Sequence, residues 1–193
     1  MVTLGNTASD AELIRRTQAG DKRAFSELVK RHQDAVYNVA YRLVGDPEMA
    51  RDLTQEAFIS MYRGIASYRH EARFTTWAYV IVRNLCSTRI KKNAREMAYL
   101  TPEGESDGKL EHVAAMDADP VDGALRHELQ SGMMAALMTL SMSHRLVLTL
   151  YYFEAMGYEE IATVVGFPVG TVKTHLHRAK AAMRRAMQAK ELV

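Results

Sequence analysis

Between Glu96 and Asp122 the three- and four-residue spacing of apolar side chains that marks most of this chain breaks off. Eight acids (Glu96, Glu103, Glu105, Asp107, Glu111, Asp117, Asp119 and Asp122) stand there against Lys109 alone, a local charge of −7, with Pro102, Gly104, Gly108 and Pro120 among them. Such a stretch cannot bury enough apolar surface to offset the entropy of ordering it, which predicts a flexible acidic linker over 96–122. The rest must then fold on either side of it, as two small domains over 8–95 and 123–190. A length of 193 residues, 48% of them hydrophobic, suffices for two modest cores. No internal repeat relates them.

The formal net charge of +2 conceals a segregation of charge. From Arg83 to Arg95 there are five bases (Arg83, Arg89, Lys91, Lys92, Arg95) and no acid, a local +5. From Val169 to Lys190 there are six (Lys173, Arg178, Lys180, Arg184, Arg185, Lys190) and again no acid, a local +6. One such run reads as a solvated helix face; two, each closing a helical segment and separated by acid, point to a polyanionic partner. The single Cys86 excludes an intrachain disulfide framework and a multi-cysteine zinc site, and it fits a reducing compartment. The absence of a long apolar run and of a secretory signal in MVTLGNTASDAEL predicts a cytoplasmic protein.

Helical signals dominate both parts, so the expected fold class is all-α. Asp10 is a candidate cap for a first helix ending at Gly20, and Asp21 for a second. In the second, Phe25, Leu28, Val29, His32, Val36, Val39, Ala40 and Leu43 form one apolar stripe ending at Gly45. Asp46-Pro47 starts a third, with the stripe Ala50, Leu53, Ala57, Phe58, Met61 and Ile65. After a polar loop around Arg69 to Arg73, a fourth helix is expected from about Thr75 to Arg95. Beyond Gly123 the stripes resume with Leu125, Leu129, Met133, Ala136, Leu137 and Leu140, then Leu146, Val147, Leu150 and Phe153. The cluster Met133, Met134, Met138 and Met142 reads as core filler rather than a partner surface.

The segment YEEIATVVGFPVGTVKTHLHRAKAAMRR, from Tyr158 to Arg185, has the pattern of a helix-turn-helix. Ile161 and Val165 face inward, Ala162 permits a close helix crossing, Gly166 supplies the turn, and Pro168 starts the second helix. Val172, Leu176, Ala179 and Met183 repeat along that helix's buried side. The opposite side carries Lys173, Thr174, His177 and Arg178, donors suited to phosphates and base edges in a major groove. In the N-terminal half, GDPEMARDLTQEAFISMYRG places Asp52, Gln55 and Glu56 on the polar side of an apolar helix. In SYRHEARFTTWAYVIVRNLCSTRIKKNAR, Tyr68, Phe74, Trp77 and Tyr79 interleave with Arg69, Arg73, Arg83 and Asn84. Rings beside cations suit unpaired bases. Taken alone, Trp77 reads as a core residue, and Tyr79 fits a surface ring without function equally well.

With GDKRAF, DLTQEAF, FTTWAYVIVRN and YEEIATVVGFPVGTVKTHLHRAK in this order, the chain resembles a bacterial sigma factor of the extracytoplasmic-function type from about Asp10 to Met187. The resemblance implies regions 2 and 4 joined by a flexible linker, without regions 1.1 and 3. It implies that Asp52, Gln55 and Glu56, with Phe58 beside them, bind the β′ clamp helices of core RNA polymerase, while the β flap receives region 4. The loop from Tyr68 through Arg69 and Arg73 to Phe74, with Trp77 and Asn84 behind it, would capture a flipped base of the −10 element. Arg83, Arg89, Lys91 and Lys92 would hold the DNA backbone there. Thr171, Lys173, Thr174, His175, His177, Arg178 and Lys180 would contact the −35 duplex, with Arg178 the candidate for guanine. Ala78 replaces a larger aliphatic residue usual in the family, and His175 and His177 stand where basic or aromatic residues are commoner. Promoter preference is therefore not carried over.

The implied partners are core RNA polymerase, promoter DNA and an anti-sigma factor, which would be the only means of holding the chain at a membrane. No small-molecule substrate, cofactor, metal or catalytic residue is expected. The seven histidines come without HExxH, a phosphate loop or a nucleophile elbow. An alternative remains: a helix-turn-helix regulator acting without stable polymerase association. Polymerase dependence of promoter binding separates the two.

Overall fold

The computed structural model describes residues 8–100 and 122–190, with side chains over 8–96 and 130–190. All regular structure among the described residues is helical, as the periodicity predicts. The N-terminal group comprises α1 (Asp10–Gln18), α2 (Lys22–Val44), α3 (Pro47–Gly64), a 3₁₀ turn (Ile65–Ser67) and α4 (Phe74–Leu100). The C-terminal group comprises α5 (Asp122–Met138), α6 (Met142–Leu148) running into a π turn (Thr149–Phe153), α7 (Tyr158–Val165) and α8 (Val169–Gln188). Most of the expected linker lies outside the described residues. Its first five positions, 96–100, continue α4.

Local chemistry sets most boundaries. The Asp21 carboxylate accepts from the amides of Arg23 and Ala24, and that of Asp46 from Met49 at 2.6 Å, with Pro47 in the first helical turn. Gly45 and Gly166 end α2 and α7 at φ +78° and +72°, a left-handed backbone that a Cβ disfavours. One cap differs from expectation. Ser9, not Asp10, caps α1, its hydroxyl accepting from the Glu12 amide. Asp10 is freed to pair with His32 at 2.8 Å and Arg31 at 3.2 Å, tying α1 to α2.

Helix α2 is the central element of the first group. Its Leu28, Val36, Val39, Ala40 and Leu43 are buried against Leu13 and Ile14 of α1, Leu53, Ala57 and Met61 of α3, and Ala78, Val82 and Cys86 of α4. In the second group, Ile161, Val164 and Val165 of α7 meet Val172, Leu176 and Ala179 of α8 over Leu146, Val147 and Leu150. The Arg145 guanidinium donates to the carbonyls of Met138 and Leu140, fastening the turn between α5 and α6. The two groups also touch: α4 packs on α7, and α2 on α5 and α6, so that one buried apolar cluster runs through both.

Candidate nucleic-acid and polymerase interface

Helix α8 displays its basic side with little protein over it. Lys173, Thr174, His177, Arg178 and Lys180 are exposed, opposite the buried row Val172, Leu176 and Ala179. The row is graded by its neighbours. Lys173 and Lys180 are held on one flank, with their ammonium groups 5.4 Å from the Tyr158 ring and 6.0 Å from the Tyr152 ring. Thr171 and His175 are half-buried. His175 packs 5.7 Å from His144 and 5.4 Å from Phe167, and its Nδ1 is closed off without a hydrogen-bond partner among the described residues. Burial, then His175 and Arg178, lowers the pKa of His144, which favours its neutral form. His175 therefore belongs to the packing of α8 on α6. Thr174, His177 and Arg178 remain as the free outward row.

The loop before α4 is a closed structure. The Tyr68 hydroxyl donates to the carbonyl of Ala72, spanning the loop. The Gln18 carboxamide, at the end of α1, donates to the carbonyls of Ile65 at 2.9 Å and Tyr68 at 3.0 Å. The Tyr68 ring lies 5.1 Å from Trp77 and 4.8 Å from His70, whose backbone has φ +59°. Phe74 is 4% exposed and supports Tyr68 and Trp77 from beneath, so it offers no open face. Arg69 and Arg73 project from the loop. Arg83 donates to the Asn84 side-chain oxygen at 2.6 and 3.1 Å. Further along, Arg89 lies 3.7 Å from Glu56 of α3 and Lys92 3.7 Å from Glu96, while Lys91 is exposed. Tyr79 reverses its sequence reading: it is 2% exposed, and its hydroxyl donates to Glu154 of the other helical group.

On α3, Asp52, Gln55 and Glu56 are exposed. Beside them, between α2 and α3, opens a cavity of about 720 Å3 with Phe58 in its wall. Phe25, Val29, Tyr37, Ile59 and Tyr62 complete its apolar lining, and Asp34, Arg51 and Arg63 stand at its rim. Ile59 is 46% exposed and Tyr62 42%, the Phe25 ring sitting 5.0 Å from that of Tyr62. Sequence reasoning missed this groove. The available signal was Ile59 and Tyr62 themselves, apolar residues off the buried stripe of their helix.

The family model described as Sigma-70 region 2 matches residues 28–96, and Sigma-70, region 4 matches 132–183. The RNA polymerase sigma-H factor of Pseudomonas aeruginosa is 35% identical, the alignment covering 93% of this chain and 94% of that protein. The chain is an extracytoplasmic-function sigma factor. The ECF RNA polymerase sigma factor SigW of Bacillus subtilis is 33% identical over 91% of this chain and 95% of its own, and the sigma-E factor of Escherichia coli 32% over 93% and 95%. Among solved structures, CnrH in complex with the cytosolic domain of CnrY shares the fold, with a TM-score of 0.67 at 21% identity, covering 94% of this chain and 99% of that one. So does RpoE of Bartonella quintana, in complex with the anti-sigma factor NepR, with a TM-score of 0.69 at 22% identity over 85% and 96%.

As in the rest of the family, regions 2 and 4 of this sigma factor direct promoter recognition by RNA polymerase, without catalytic chemistry of their own. Among the described residues no group of three or more His, Cys, Asp or Glu is placed to hold a metal, and no helix is long and apolar enough to cross a membrane. Burial pushes the Cys86 thiol up to about 12.

Proposed function

We propose a division of labour among three surfaces of the sigma factor. The groove between α2 and α3, with Asp52, Gln55, Glu56 and Phe58, receives the β′ clamp helices of core RNA polymerase; region 4 engages the β flap. The loop from Tyr68 to Phe74, with Trp77 and Asn84, captures an unpaired base of the −10 element, and Arg83, Arg89, Lys91 and Lys92 hold the adjoining phosphates. The outward row of α8 reads the −35 duplex, with Arg178 on a guanine and Lys173 and Lys180 on phosphates. On this reading region 2 occupies 8–95 and region 4 occupies 123–190, and 96–122 is the acidic tether.

The observation that carries the reading is the two-sidedness of α8. Val172, Leu176 and Ala179 anchor it in the helix-turn-helix while Thr174, His177 and Arg178 are exposed on the opposite side. Affinity rests on neutralising phosphates at two separated sites and so falls steeply with salt. CnrH is in complex with the cytosolic domain of CnrY, and the Bartonella RpoE with the anti-sigma factor NepR. A partner of the anti-sigma kind would silence this sigma factor by covering the α2–α3 groove. The place of action is the cytoplasm, with any hold on a membrane supplied by that partner.

Run-off transcription with core polymerase on a library of promoter fragments tests the assignment. The expected result is a set of transcripts sharing an upstream and a downstream element, absent without either protein. Tight promoter binding by the free chain, unchanged by core enzyme, would overturn it.

A further inference from the structure

Glu154, the residue after the π turn of region 4, is an acid with only 14% of its side chain exposed, and among the described residues the partners of its carboxylate lie in region 2. One carboxylate oxygen accepts from the Tyr79 hydroxyl of α4; the other stands 3.8 Å from the guanidinium of Arg42 on α2. The Arg42 side chain is 22% exposed and lies 3.9 Å above the ring of Phe153. Burial, then Glu154, raises the pKa of Tyr79, which keeps the phenol a neutral donor. Two further contacts cross the same seam. Arg73 reaches Glu160 of α7 at 3.5 Å, and the Arg83 guanidinium lies 3.5 Å from where a Cβ on Gly166, the turn of the helix-turn-helix, would stand. On the other side Met138 of α5 packs so closely on Gly45 that a Cβ there would meet it at 2.8 Å.

Half-buried charges of this kind cost free energy unless paired, and among the described residues the Glu154 carboxylate and the Arg42 guanidinium, an ion pair at 3.8 Å rather than a hydrogen bond, meet opposite charge across the seam. The contacts therefore specify one docked arrangement. That arrangement lays α4 along α7, the helix next to α8, so the two DNA-binding helices sit within about two helix diameters, ~20 Å, of each other. Elements at −10 and −35 are separated by about 25 base pairs, on the order of 80 Å of duplex. Both cannot be engaged at once from the docked state. The groove between α2 and α3 is lined by residues of region 2 and by none of region 4.

Resting on the assignment of α4 and α8 to the two promoter elements, we propose that Tyr79, Glu154 and Arg42 form a latch that holds the free sigma factor closed. The latch keeps Arg83 against the end of α7, and polymerase releases it by drawing region 4 away from region 2. Core enzyme binds the open state better by the added region 4 contact, and that difference shifts the population.

Energy transfer in the full chain tests this, with labels at Arg15→Cys and Arg185→Cys in a Cys86→Ala background. The unmodified latch gives high transfer. Glu154→Lys, which sets two cations together, lowers it. The same change tightens polymerase-free binding of a single-stranded −10 oligonucleotide about fivefold, because the competent state is no longer the minor one. The charge swap Arg42→Glu with Glu154→Lys restores both values, which a merely misfolded variant would not allow. Tyr79→Phe moves transfer in the same direction by less. With saturating core enzyme, run-off transcription by Glu154→Lys equals that of the unmodified chain. Low transfer in the unmodified protein, or no response to Glu154→Lys, would overturn the latch. Loss of run-off transcription by the unmodified chain would instead overturn the assignment beneath it.

Discussion

The basic helices α4 and α8 look alike in the sequence, each an acid-free run closing a helical segment, yet they differ in what covers them. Helix α8 is anchored by α7 and leaves Thr174, His177 and Arg178 outward. The first half of helix α4 is bordered by α7 itself, with Tyr79 buried and the Arg83 guanidinium close to Gly166. On the proposed assignment, the difference follows from what each helix would meet. Duplex DNA presents its groove edges without rearrangement, so a rigid exposed row suffices. Unpaired bases exist only after the duplex opens, so the surface that takes them has no use before polymerase arrives. A cover on α4 therefore costs promoter search little, whereas a cover on α8 would abolish it.

The sharpest way to separate the polymerase surface from both DNA surfaces is Ile59→Glu in the α2–α3 groove. A charge there opposes burial at the centre of the proposed contact and should weaken core binding by ~30-fold, about 2 kcal/mol. Competition for labelled core enzyme measures it, and duplex binding through α8 should be unchanged. Arg178→Ala should cost about 1–3 kcal/mol of discrimination at one upstream position and leave the downstream element alone, read by competition among single-base promoter variants. Next come two glycines of the helix-turn-helix. Gly166→Ala forces a Cβ into a left-handed backbone and should lower region 4 stability by ~1 kcal/mol in urea titration. Gly170→Ala, in open space within α8, should raise it by about 0.5 kcal/mol. Smallest of all, Lys91→Ala should reduce the slope of log affinity against log salt by about one, uniformly across promoter sequences.

What was legible in the sequence was what neighbouring residues decide. Asp21, Gly45, Asp46-Pro47 and Gly166 act within one helical turn, and each stands where its chemistry predicts. The cap of α1 was misplaced by one residue: Ser9 takes it, while Asp10 pairs with Arg31 and His32, 21 and 22 residues away. Distance along the chain also hid the role of Tyr79, whose partner Glu154 is 75 residues off. The aromatic run around Tyr68 was visible as composition, but which rings stay open depends on packing: Phe74 is beneath the loop, Trp77 half-exposed beside it. His175 is adjacent to buried Leu176 and four residues from buried Ala179, a spacing that draws it toward α6 and out of the outward row. The α2–α3 groove escaped because each helix contributes half of it.

Permanganate reactivity of thymines in the downstream element, measured on holoenzyme–promoter complexes, tests the division between α4 and α8 most directly. Asn84→Ala and Arg178→Ala are compared at protein concentrations that give equal promoter occupancy. The account predicts that Asn84→Ala loses thymine reactivity while remaining bound, and that Arg178→Ala, once bound, opens the duplex as the unmodified chain does. Parallel loss of reactivity in both variants at equal occupancy would contradict it.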